Sequence, residues 1–91
     1  MNYYEEKISM KQNQLEIAKV GLTQATSNYA QEVQNAIAME DNAYEAVKEM
    51  AKKVNAGIAL VKEIEEDIKY YEREYEKEKA KAESENKEDN E

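Results

Sequence analysis

The chain has no cysteine, histidine, proline, tryptophan or phenylalanine, and only two of its 91 residues are glycine. Each absence closes off a class of function or fold. Without cysteine there is no disulfide framework, thiol nucleophile or thiolate metal site. Without histidine the usual general base near neutral pH and the imidazole metal ligand are missing. No glycine-rich phosphate loop, nucleophile elbow or calcium-binding loop occurs. Carboxylates are plentiful, and Glu63, Glu65, Glu66 and Asp67 crowd together. Di-metal carboxylate bundles, however, rely on inward-facing Glu-x-x-His pairs. These acids therefore read as a solvated helix face. The expectation is a non-enzyme with no catalytic residue, no metal site and no cofactor.

The chain also lacks an excess of positive charge. It carries 21 acidic against 13 basic side chains, a formal net charge of −8. Binding to a phosphate backbone needs clustered Lys and Arg, so no nucleic-acid partner is expected. Basic surfaces and DNA-binding proteins are the electrostatic partners such a balance allows. The opening Met1-Asn2-Tyr3-Tyr4-Glu5-Glu6 has acids where a signal peptide has a basic region, and no long apolar run follows. Neither Sec export nor a membrane span is expected, and the cytoplasm is the expected location.

What remains is a composition that forms helices. No proline and few glycines, with many Ala, Glu, Lys and Gln, give a chain with little to interrupt a helix. Ile8, Leu15, Leu22, Tyr29 and Ala36 recur every seven residues, with Tyr4, Lys11, Ala18, Ala25 and Glu32 in the companion positions. That is the spacing of a helical seam, with Lys11 and Glu32 as its flaws. Ile17, Val20, Val33 and Ile37 widen the apolar face, as a helix in a bundle requires. The pattern predicts a first helix over about residues 2–38.

A turn is placed at about 39–42, where the first periodicity ends. Asn42 followed by Glu45 has the spacing of a capping box, and Asp41 is nearly as good a cap. A rival break at Thr26-Ser27-Asn28 with Gln31 is disfavoured, because the seven-residue repeat runs through it in phase.

The second helix is predicted over about 43–82. Val47, Val54, Val61, Ile68 and Tyr75 stand at seven-residue intervals; Tyr44, Ala51 and Ile58 flank them early, and Ile64 and Tyr71 later. Gly57 stays in phase and reads as a close-packing or weak point inside the helix. Residues 83–91 contain nothing larger than alanine that is apolar, so a disordered acidic tail is expected there.

The fold class is therefore all-α: one domain over 1–82, an antiparallel two-helix hairpin that associates into a four-helix bundle. Each helix has an apolar face wider than one neighbour can cover, which leaves Ile17, Val20, Leu60 or Ile64 in water unless something packs there. The expected partner interface comprises Ile8, Leu15, Leu22, Tyr29, Val47, Val54, Ile58, Val61 and Ile68. Seven tyrosines are the unusual choice. Tyr3, Tyr4, Tyr70, Tyr71 and Tyr75 fall at the end opposite the turn, as a closing layer of the helix pair or as a docking patch.

In length, hairpin form and lack of cysteine, the chain resembles the ESAT-6/WXG100 superfamily of type VII secretion and the small helical proteins encoded beside LXG-domain toxins. The stretch from Asn2-Tyr3-Tyr4-Glu5-Glu6-Lys7-Ile8 through Gln14-Leu15-Glu16 is similar in style to the start of some LXG-associated proteins. Tyr70 and Glu74 match the Tyr-x-x-x-acid element that serves that superfamily as an export motif. The Trp-x-Gly turn signature is absent, so the likeness is to LXG-associated accessory proteins. The resemblance implies a hetero- or homodimeric helical hairpin. Leu15, Leu22, Tyr29, Val54, Val61 and Ile68 would lie against the helical N-terminal region of a secreted toxin, and export would need no cleaved signal peptide.

Two other classes fit the same residues. An acidic rod could be a phage-type inhibitor or DNA mimic that blocks a basic channel, although Lys48, Lys52, Lys53, Lys62 and Lys69 interleave its acids. It could also be a structural coiled coil or a prefoldin-like holdase subunit. A mimic complex should dissociate in salt and a hydrophobic seam should not.

Overall fold

A computed structural model of the chain describes residues 2–38 and 43–89, with side chains described at 2–38 and 44–85. Two helices account for nearly all of them: α1, Tyr3–Ile37, and α2, Ala43–Asp89. Among the described residues there is no strand. The expected turn at 39–42 lies outside the described residues.

The first helix begins where its backbone donors find an acceptor. Asn2 is extended at φ −85° and ψ 177°, and its Oδ1 accepts from the Glu5 N–H at 2.8 Å. Glu5 and Glu6 in the first turn also suit the positive end of the helix. The helix passes through the rival break without interruption. The Thr26 hydroxyl donates back to the Leu22 carbonyl at 2.8 Å, and Thr23 does the same to Lys19 at 3.0 Å. These polar side chains are thereby satisfied within the helix rather than competing with it.

The second helix is longer than its sequence suggests. Residues 83–89 belong to α2, where a disordered tail is expected from residue 83; residues 90 and 91 lie outside the described part. Burial was the wrong criterion for this stretch. Ala80 and Ala82 are strong helix formers, and the spacings Lys79–Glu83 and Lys81–Glu85 put opposite charges one turn apart.

The helices run antiparallel in one steady register. Lys11 Nζ lies 3.1 Å from Asp67 Oδ2, the Tyr75 hydroxyl donates to Glu5 Oε1 at 3.0 Å, and Leu22 faces Gly57. The sequence numbers of these pairs add to 78, 80 and 79. All ten seam positions of α1 are half-buried. Lys11, read from the sequence as a flaw, is thus bonded across the seam. On α2 the buried stripe is Val47, Val54, Val61, Ile68 and Tyr75 with Met50, Gly57, Ile64 and Tyr71 beside it. One expectation changes accordingly: Ile64, expected to be left in water, is 6% exposed. Ile58, which flanks the stripe by its spacing, is exposed outside the seam.

The result is a thin rod. Its Cα extents are 78 × 16 × 13 Å and its radius of gyration is 21.6 Å, against about 12 Å for a compact domain of this length. Only Ile64 and Ile68, at 6% and 8% exposure, count as an apolar core among the described residues. At the end where α1 begins, α2 extends beyond it as a charged stub, because it has 47 residues to α1's 35.

Candidate protein-interaction surface

The residues expected to meet a partner divide into two groups. Ile8, Leu15, Leu22, Tyr29, Val47, Val54 and Val61 are half-buried and Ile68 is buried, all of them in the seam between α1 and α2. What each leaves open is the edge that a further helix could still touch. Ile58 stands outside the seam on the flank that also holds the exposed Tyr44.

Exposed aliphatic side chains occur on both helices, with Ile37 at 76% closing α1 and Ile58 on α2. Ile17 is 73% exposed and Val20 68%, with Met10 and Leu60 also exposed. Gln14, Ile17, Ala18, Leu60 and Ile64 line a shallow groove between the helices. Single exposed apolar residues are ordinary, but neighbouring ones on one flank mark a contact surface.

Charge separates the two outer faces. Met10, Asn13, Ile17, Val20, Gln24, Ser27, Gln31 and Gln34 follow one another at alternating steps of three and four, and all are exposed. Such spacing places them in one line along the side of α1 away from the seam. None is charged. The corresponding side of α2 presents Lys48, Glu49, Lys52, Lys62, Glu63, Glu66, Lys69 and Arg73, all exposed. Depletion of charge is one compositional feature of an interface centre, and Met10 fits another. The sequence reading found Ile17 and Val20 but not this stripe, because five of its eight residues are amides or serine and give no hydrophobic period.

The tyrosine end is ordered by pairwise contacts. Tyr3 meets Tyr4 edge to face at 5.2 Å between ring centres, and Tyr70 meets Tyr71 in the same way at 5.3 Å. Lys7 Nζ stands 5.5 Å from the centre of the Tyr3 ring. Tyr4, Tyr71 and Tyr75 are half-buried while Tyr3 and Tyr70 face outward. The Tyr75 hydroxyl is held above its ordinary range by its hydrogen bond to Glu5 and by that carboxylate's charge. Tyr4 is raised first by burial and then by Glu78 and Glu74. Tyr70 and Glu74 share a helix face one turn apart, and Glu74 Oε1 accepts from Lys77 Nζ at 3.3 Å.

Among the described residues no group of acids is close enough to hold a metal ion, and no helix is long and apolar enough to cross a membrane. Comparison with protein-family models, with curated proteins and with solved structures gives no match. The surface must be interpreted from its own geometry.

Proposed function

We propose that this chain is a non-catalytic interaction protein whose hairpin completes a helical bundle with a protein partner. On the resemblance described above, the partner is the helical N-terminal region of an effector exported by a type VII system, and the chain serves as its accessory or targeting subunit. The observation that carries the reading is the open flank of α1. Ile17 and Val20 stand in water on a hairpin with only two buried apolar residues among those described.

The surface area supports the same reading. The chain exposes 7172 Å², where a compact monomer of its mass would expose about 5,400 Å². Part of the excess belongs to the α2 stub. The whole exceeds the roughly 800 Å² that each partner buries in a standard protein interface. Two further helices laid along the flank would cover Ile17, Val20 and Leu60 and close the edges of the seam. Knob packing and the placement of charges beside it would select the partner. Tyr70 and Glu74, beyond the covered stretch, remain available as the export element.

Co-production with the proteins encoded by adjacent reading frames tests this. The expected result is a stoichiometric complex with one helical partner and a higher unfolding midpoint than the chain alone. A chain that folds cooperatively alone and forms no complex with any of them would contradict it.

A further inference from the structure

We infer that the uncharged outer face of α1 is the docking face, and that a second copy of this chain occupies it antiparallel, with Ile17 of each copy packed on Val20 of the other. The inference rests on the interaction reading above for the open flank, and departs from it in the occupant, which is a second copy in place of the effector region.

Three observations carry it. The first is charge. The chain is −8 overall, yet α1 holds only four acids and three lysines, and its outer stripe from Met10 to Gln34 holds none. Two acidic rods approach with least repulsion through these stripes, while their more strongly charged α2 helices stay apart on the outside. Docking through α2 would instead strip water from lysines and glutamates.

The second is self-complementary spacing. About a two-fold axis between residues 18 and 19, an antiparallel partner sets Ile17 against Val20, Asn13 against Gln24, and Met10 against Ser27. Every pair occurs twice, as a closed two-fold interface requires. The apolar pair sits nearest the axis, and the amide pairs on either side can bond to one another.

The third is area. The excess surface of each chain is more than the roughly 800 Å² that each partner buries in a standard interface, so a two-fold contact along α1 lies within its reach. The product is a four-helix assembly with the two α1 helices inside.

Sedimentation equilibrium of the full chain, over a roughly hundredfold concentration range, reads the outcome. The wild-type chain is expected to be a dimer. Val20→Lys is expected to weaken it about a hundredfold or more, because two valines leave the contact at once. Ile17→Lys should act in the same direction. Both variants should keep the wild-type helical circular dichroism, since both side chains lie outside the seam. Ala59→Lys, on the outer side of α2 in line with Lys52 and Glu66, should leave the dimer unchanged. A wild-type chain that is monomeric throughout would overturn the second copy while leaving the partner reading intact. A dimer dissolved by Ala59→Lys but not by Val20→Lys would overturn the choice of face.

Discussion

Leu22 and Gly57 meet across the hairpin so closely that a Cβ on residue 57 would stand 3.1 Å from Leu22 Cδ1 and 3.7 Å from its Cα. Gly57 is thus the point at which α2 admits the side chain of α1. The other glycine, Gly21, has nothing within 4 Å of the same position. Both lie inside helices, so they differ in packing and not in backbone demand.

Gly21→Ala is expected to stabilise the chain by about 1 kcal/mol, the usual helix-propensity gain. Gly57→Ala should gain less, since Leu22 must move by a few tenths of an ångström. Gly57→Leu should destabilise by more than either gain, because it holds the helices apart. Urea midpoints of the three variants check the order. Equal gains at the two glycines would show that Leu22 does not press on residue 57.

Asn2→Ala removes the acceptor for the Glu5 N–H and should lower stability by about 1 kcal/mol. Asn2→Asp should retain it, because aspartate caps equally well. Thermal unfolding of both variants at neutral pH separates loss of the cap from a mere change at the terminus.

The Tyr75–Glu5 bond makes stability fall in alkali. The folded-state pKa of Tyr75 is raised above its ordinary value of 10.0. Its contribution is therefore fully present below about pH 10 and is lost as pH rises through the folded value. Tyr4, also raised, acts in the same direction. Urea midpoints from pH 8 to pH 11 should decline more steeply for the wild-type chain than for Tyr75→Phe. Lysine titration is common to both. Parallel profiles would remove Tyr75 from the alkaline loss.

Salt should strengthen self-association. Screening reduces the repulsion between chains of charge −8, and the uncharged stripe of α1 has no ion pairs to lose. Sedimentation at low and high sodium chloride should show an equal or tighter dimer at high salt. A complex that falls apart in salt would fit the acidic mimic reading instead.

The seam of α1 was legible in the sequence because one residue in seven repeats it: Ile8, Leu15, Leu22, Tyr29 and Ala36 are half-buried along with all their companions. The flank of α2 was legible only in part. Its inner row runs through Gly57, which has no side chain to register in a hydrophobic pattern, so spacing favours Ile58 early in the helix and reaches the row only at Ile64 and Tyr71. The cap at Asn2 had a readable signal, the same Asn-x-x-Glu spacing that marked Asn42 and Glu45. Residues 83–89 continue α2 without an apolar residue, so hydrophobic periodicity has nothing there to register. The α1 stripe escaped for a related reason: its signal is the lack of charge over eight positions, and periodicity methods weigh what is apolar rather than what is neutral.

The most direct test of the central claim, that this hairpin is completed by association, is its thermal unfolding by circular dichroism across a wide range of protein concentration. An associating chain should unfold at a midpoint that rises steadily with concentration, because the dimer dissociates as it melts. A midpoint independent of concentration, in a chain that sediments as a monomer and melts cooperatively above about 60 °C, would show that the two helices suffice by themselves and would contradict the claim.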